Sequence, residues 1–247
     1  MTLASSILAS LLAGQQPPSL EPAALNQLSR FKAKGWISVH GVKGNRTYAL
    51  TNVGRIVAVA QAQQKSTEAF IEAHRDFLQS HDISGIPDHL LPRLGELEGT
   101  ICQDNLVNPM QSLSLFLRGL AASKEIYGLS PNMLDGYAQV IADKVLSGCH
   151  VELIMTDAVY EAANQQYPDW SGNLMAMSNF KLYVIPKATL AFTVTDEGFN
   201  MGLPRTSGEY DLTSDLVCGQ GSLSWGMDLF EWYKRHATLI EPIEHAD

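Results

Sequence analysis

Between residues 98 and 203 the chain alternates short apolar runs with helix-length amphipathic stretches, and this alternation leaves few folds open. Strand-like runs stand at "EGTICQ", "KEIYGLS", "HVELIMT", "FKLYVIP", "LAFTVTD" and "GFNMGLP". Helix-like stretches lie between the earlier ones, at "PMQSLSLFLRGLAAS", "NMLDGYAQVIADKVLSG" and "DAVYEAANQQ", and "GSLSWGMDLFEWYKRHA" closes the series. Short apolar runs bounded by turn residues read as strands, whereas apolar residues three and four apart make one face of a helix. The order predicts an α/β domain with a mixed sheet. In the closing helix Leu223, Met227 and Phe230 share a side with Lys234, Trp225, Leu229 and Trp232 lie nearby, and the aromatics are expected in the core.

The front of the chain has a different character. The first 65 residues carry seven Lys and Arg against one acid, Glu21, a balance of +6, while the remainder carries ten basic and twenty-five acidic side chains, a balance of -15. Such a split points to a basic module that meets a polyanion and an acidic module with another task. Ile7, Leu8, Leu11 and Leu12 recur at helical spacing before "GQQPPSLEP" breaks the pattern. A second helix is expected over about residues 20–34, with Leu25, Leu28 and Phe31 on its apolar face and Gly35 at its end. "WISVHGVKGNRTYALT" then places two apolar-alternating runs around "GVKGN", a hairpin signature. Two helices followed by a charged hairpin is the order of a winged helix-turn-helix.

In such a module one helix enters the major groove of duplex DNA while cationic side chains at helix ends and on the hairpin hold phosphates. The residues expected to do this are Asn26, Ser29, Arg30 and Lys32 on the helix, with Lys43 and Arg46 on the wing. A complete winged helix has three helices ahead of its hairpin and this stretch supplies two, so the expectation is either a module that lacks its first helix or a sequence that starts at an internal Met. From charge alone, a solvated basic domain that binds protein or RNA is the alternative. A helical pattern through Val53, Ile56, Val57, Ala60, Phe70, Ile71, His74, Phe77 and Leu78 lasts to about Ser80, and serves either as a dimer seam or as core. The domain plan is therefore a winged helix at 1–60, linker or dimerisation helices at 61–98, and an α/β regulatory domain at 99–247.

Several chemistries are disfavoured. Cys102, Cys149 and Cys218 are few, far apart and outside any metal-ligand spacing, so they are expected to be buried thiols. "MTLASSILASLLAG" lacks the basic start of a signal peptide and the length of a membrane span, which suggests a cytoplasmic chain without membrane association. No GxSxG, P-loop, HExxH or dinucleotide fingerprint occurs. His81, Asp82, Asp88 and His89 in "HDISGIPDH" suit a structural turn, with Asp88 as a helix cap, better than a metal site. No cofactor, metal or catalytic residue is expected.

Three segments carry a family resemblance: "FLQSHDISGIPDHLLPRLGEL" at 77–97, "GEYDLTSDLVCG" at 208–219 and "WGMDLFEWYKRHA" at 225–237. They resemble the archaeal methanogenesis-regulator family, which joins an ArsR-like winged helix to a conserved middle domain. The resemblance covers most of residues 50–240 and implies a transcription regulator. The strand order of the acidic part also resembles phospholipase D-like domains that serve as ligand sensors in archaeal sugar-responsive regulators. Enzymes of that kind carry H-x-K-x4-D on a strand; here Asp196 fits the last position, but Thr189 and Ala191 stand where His and Lys belong. The chain is therefore not expected to be an enzyme.

Ligands of open α/β sheets sit outside the carboxyl ends of strands. That rule selects Ser130, Asp157, Asp196 and, beyond "GFNMGLP", Arg205 as ligand-binding residues. The expected protein is an archaeal regulator that binds double-stranded DNA as a homodimer and responds to a small-molecule effector. A non-catalytic interaction or scaffold protein with a degenerate winged helix is the alternative.

Overall fold

The computed structural model of the chain describes residues 2–17, 21–42, 45–134, 136–167 and 174–241. Two compact units meet in sequence at Ala69/Phe70.

In the first unit, α1 (Leu3–Leu12) and α2 (Pro22–Ala33) are followed by a hairpin of β1 (Ile37–His40) and β2 (Thr47–Leu50), and then by α3 (Asn52–Ala73), which runs on past the unit boundary. The Thr2 hydroxyl caps α1, and Gly35, at a left-handed φ of 68°, turns the chain out of α2. The core gathers Ile7, Leu8, Leu11, Ala24, Leu28, Phe31, Ile37, Tyr48 and Ala58. Thus Ala24, not Leu25, joins Leu28 and Phe31 at i, i+4 and i+7 of the helix, and Leu25 is 41% exposed. Gln16 extends the hairpin, its Oε1 accepting from the Tyr48 amide at 2.9 Å and its Nε2 donating to the Tyr48 carbonyl at 3.2 Å. Gly54 lies so close to the Trp36 carbonyl oxygen that any Cβ would overlap it.

The helical pattern expected to last to about Ser80 is made of two helices. At His74 (φ -118°, ψ 22°) the backbone leaves helical geometry before α4 (Arg75–Ser80) begins. Val53, Ile56 and Val59 of α3 are 55, 71 and 48% exposed, so this apolar row is not core of the unit.

The second unit is built on a mixed eight-stranded sheet of order β10-β6-β5-β4-β7-β8-β9-β3. Its strands are β3 (Gly99–Gln103), β4 (Glu125–Ser130), β5 (His150–Thr156), β6 (Phe180–Ile185), β7 (Ala191–Thr195), β8 (Phe199–Gly202), β9 (Ser214–Cys218) and β10 (Thr238–Leu239). Between them lie α5 (Gln111–Ala122), α6 (Tyr137–Leu146), α7 (Asp157–Gln166) and α8 (Leu223–Lys234). β4, β5 and β6 are parallel neighbours, while β7 pairs antiparallel with β4 at Ile126↔Thr195 and β8 and β9 continue antiparallel. Side chains alternate across the sheet. One face packs Leu129, Phe192, Val194, Phe199, Met201 and Leu216 against Trp225, Leu229 and Phe230 of α8. The other packs Ile126, Val151, Leu153 and Phe180 under α6 and its neighbours.

The last helix buries Trp225, Phe230 and Tyr233 as expected, the Trp225 indole N–H donating to the Leu90 carbonyl, while Trp232 is half-buried. Asp88 caps no helix: a 3-10 turn begins at Leu91 without a side-chain cap. Cys102 and Cys218 are buried but Cys149 is half-buried, with its thiol directed at the Ser123 carbonyl. No helix among the described residues is long and apolar enough to cross a membrane.

Candidate functional site

Two surfaces stand out, one in each unit. In the first, at about 100° per residue, Asn26, Ser29 and Arg30 project from the side of α2 opposite Leu28 and Phe31, and Lys32 lies at the margin of that face. All four are exposed. The Ser29 hydroxyl donates back to the Leu25 carbonyl at 2.9 Å, which commits its proton to the helix. Arg30 and Lys32 occupy the last turn, where the helix dipole favours cations. Arg46 is exposed immediately before β2, and Lys43 lies outside the described residues. The Lys34 ammonium sits 4.5 Å from the centre of the Trp36 ring, extending the cationic surface toward the hairpin.

The second surface is a groove in the sheet unit. On β7, Thr193 and Thr195 alternate with the core residues Phe192 and Val194, so the hydroxyls face away from α8. Pairing sets Thr193 beside Asn200 and Ala191 beside Gly202, and β9 adds Asp215 from the next strand. Phe116 and Leu120 of α5 and Tyr137 of α6 enclose this polar stripe, and the Phe116 and Tyr137 rings stack at 5.8 Å. Two adjoining hollows of ≈ 60 Å³ and ≈ 170 Å³ share Phe116, Thr193 and Asn200. A cavity of about 150 Å³ holds one benzene-sized molecule, so the groove has room for a small metabolite.

The floor depends on a missing side chain. A Cβ on Gly202 would overlap the Tyr210 hydroxyl and stand 2.7 Å from Asp215 Oδ1. Burial pushes the Tyr210 and Tyr137 phenols well up, so both stay neutral donors and acceptors. Burial, followed by the charges of Asp211 and Asp104, pushes the Asp215 carboxyl up to about 6. Its two acidic neighbours are differently placed. Asp104 accepts from the Ser112 amide and hydroxyl at 2.8 and 2.9 Å. Asp211 accepts from Ser214, Thr213, His81 and, at 2.8 Å, Arg205. Burial alone raises the Asp211 carboxyl, but those bonds outweigh it and hold it well below the usual carboxylate range.

The four ligand residues expected from sequence are not brought together. Ser130 lines the groove at the carboxyl end of β4, its hydroxyl donating to the Asn132 carbonyl at 2.6 Å. Asp157 begins α7 at the carboxyl end of β5 and is exposed, and Thr156, not Asp157, caps that helix. Asp196 lies at the opposite end of the sheet, because β7 runs antiparallel to β4. There it accepts from the Lys124 and Glu125 amides at 2.8 and 3.3 Å. Arg205 belongs with Asp211 and lines a separate polar hollow of ≈ 470 Å³ with Arg75, His81 and Gln103. Of the "HDISGIPDH" residues, His81 is committed: Nδ1 lies 2.8 Å from the Phe77 carbonyl and Nε2 3.1 Å from Asp211. Thr193, Asn200, Tyr210 and Asp215 escaped the sequence reading. The usable signal was the period-two alternation of hydroxyl and apolar residues in "LAFTVTD".

Residues 109–236, which include every residue that lines the groove, match the middle domain of the methanogenesis regulatory protein FilR1. The chain belongs to this family. Methanogenesis regulatory protein FilR1 of Methanothrix harundinacea (strain 6Ac) is 29% identical over 209 residues, covering 81% of this chain and 46% of that protein. The chain thus spans about half the length of the curated relative it matches. Among solved structures, TrmBL2, an archaeal chromatin protein with a novel mode of DNA binding, aligns with a TM-score of 0.45 and 14% identity over 96% of this chain and 94% of its own. The phospholipase D family member Nuc of Salmonella typhimurium aligns with a TM-score of 0.44 and 9% identity over 58% of this chain and 99% of its own. Within this FilR1-family chain, the positions of the H-x-K motif hold Thr189 and Ala191, and Ala191 lines the groove.

Proposed function

We propose that this FilR1-family protein is a cytoplasmic transcription regulator that binds duplex DNA through residues 1–60 and senses a small molecule in the groove of its α/β domain. The observation that carries the reading is the outward face of α2. Asn26, Arg30 and Lys32 are exposed there in a front segment, residues 1–65, of balance +6, in a chain similar to a protein named as a methanogenesis regulatory protein. Arg30, Lys32, Lys43 and Arg46 hold phosphates, and Asn26 faces the bases, since amide side chains read adenine edges. The exposed row of Val53, Ile56 and Val59 supports a homodimer, because two helices offering such rows can bury them against each other. In the α/β domain, Ser130, Thr193, Asn200 and Asp215 contact the effector. Thr189 and Ala191 supply neither the histidine nucleophile nor the phosphate-binding cation of the H-x-K motif, which favours sensing over hydrolysis.

The test is a salt titration of binding to a labelled duplex from the promoter of the protein's own gene, comparing the full chain with Arg30→Ala/Arg46→Ala. The expected result is a steep loss of affinity with salt, whose slope falls by about 0.9 for each phosphate contact removed. Equal slopes for both proteins would sink the DNA reading.

A further inference from the structure

We infer that the groove beneath α5 receives a small organic cation, an amine or quaternary ammonium whose charged head rests against Asp215 and whose apolar body lies along Phe116. The inference rests on the sensing role proposed above and names the chemical class that the groove selects.

Charge is the first ground. The charged residues lining the two adjoining hollows are Asp215 and Glu197, both acids, and no Lys, Arg or His joins either lining. A phosphate or carboxylate ligand would meet these acids without a counter-charge, and like charges in a partly desolvated site repel strongly. The anion chemistry of phospholipase-like sites is therefore the wrong match for this wall.

The second ground is the unequal treatment of three neighbouring carboxylates. Asp211 has Arg205, His81, Ser214 and Thr213, and Asp104 has Ser112. Among the described residues no cation stands within salt-bridge reach of Asp215, although its surroundings are mostly apolar and aromatic. Asp215 is half-buried, and an acid partly withdrawn from water is costly unless paired. Burial and the two acids beside it already push its carboxyl up to about 6, the direction that an incoming cation would reverse.

The third ground is the lining. Phe116, Tyr137 and Tyr210 border the same hollow as Asp215, and aromatic faces attract ammonium groups that have lost their water. Gly202 lacks the Cβ that would overlap the Tyr210 hydroxyl and crowd Asp215 Oδ1, so both groups close onto the strand at the wall of this hollow. A neutral polyol could use Thr193, Asn200 and Ser130, but it would leave the Asp215 charge unanswered.

The experiment is isothermal titration of the full chain, at constant ionic strength, with three probe classes: n-butylammonium and choline, their neutral counterparts n-butanol and glycerol, and inorganic phosphate. The expected result is saturable binding of a cationic probe that weakens at least tenfold in Asp215→Asn and is unchanged in Glu161→Gln, a surface acid on α7. Thermal melts of Asp215→Asn establish that it is folded. Equal cation binding in Asp215→Asn would overturn the inference as non-specific attraction to an acidic protein. Preferential binding of glycerol, butanol or phosphate, lost in Thr193→Val, would overturn the cation class and leave the sensing role standing. Binding of no probe class would overturn the inference and remove the groove as the sensing site.

Discussion

The Lys234 ammonium lies 2.7 Å from Glu152 Oε2, tying the last turn of α8 to the middle of the sheet. Glu152 is the polar residue within the otherwise apolar core of "HVELIMT", and only 4% of it is exposed. It also meets Lys181 at 3.3 Å, the Tyr183 hydroxyl at 3.2 Å and His150 at 3.2 Å, so both carboxylate oxygens are satisfied. Removing Lys234 takes away the shortest of these contacts and leaves the buried Glu152 with Lys181 as its remaining lysine partner.

Lys234→Met is therefore expected to destabilise the sheet unit by about 2–4 kcal/mol, measured by urea unfolding at pH 7. Burial raises the Glu152 carboxyl, but the bonds from Lys234 and Lys181 outweigh this and hold it below its ordinary value. A depressed carboxylate stabilises the fold above its unfolded value, about 4.3. That contribution is lost as pH falls through the folded value, so the gap between wild type and Lys234→Met should narrow below about pH 4. A gap that stays constant down to pH 3 would contradict the pairing.

Asp215 should show the opposite sign. Its carboxyl is raised to about 6, so the folded state holds a proton that the unfolded chain releases near pH 4. Stability is then expected to fall between about pH 4 and pH 6 and to level off above. Asp215→Asn removes this slope and gains about 1–3 kcal/mol at pH 7, read from the midpoint of chemical unfolding. A variant less stable than wild type at pH 7 would count against the burial of this charge.

These two acids mark how far the sequence could be read. The alternation of strand and helix, the basic front and the hairpin were legible because each is a local pattern of apolar spacing and turn residues. β9 was not read as a strand because "SDLVC" opens with Ser214 and Asp215, which face the polar groove and an acidic cluster. The direction of β7 was also hidden, since pairing with β4 joins residues about seventy positions apart. That single reversal moved Asp196 to the far end of the sheet from Ser130. Likewise Val53 and Ile56 keep helical spacing, but spacing alone does not say whether an apolar face meets core, partner or solvent.

Gly54→Ala tests the hairpin unit. Thr51 caps α3 by accepting from the Gly54 amide at 3.1 Å while donating to the Gly35 carbonyl at 2.6 Å, and this draws Gly54 onto the Trp36 carbonyl. A methyl group there meets backbone, which cannot swing aside as a side chain can. The expected cost is about 2 kcal/mol or more, with amide exchange rising in β1 and β2. Protection unchanged in the hairpin would show that the approach is not required.

The final prediction separates two roles on α2. Arg30 sits in the last helical turn as a point of positive charge, whereas Asn26 lies one turn earlier with an amide able to donate and accept at once. Arg30→Ala should weaken binding to specific and random duplexes alike and make the salt slope shallower, because phosphates carry no sequence. Asn26→Ala should leave that slope intact and reduce discrimination between the preferred and a scrambled duplex, by about 1–3 kcal/mol for one base pair. Competition binding at two salt concentrations distinguishes the two patterns. If both variants lose affinity uniformly, α2 contacts only the backbone, and sequence must be read by another element of the protein.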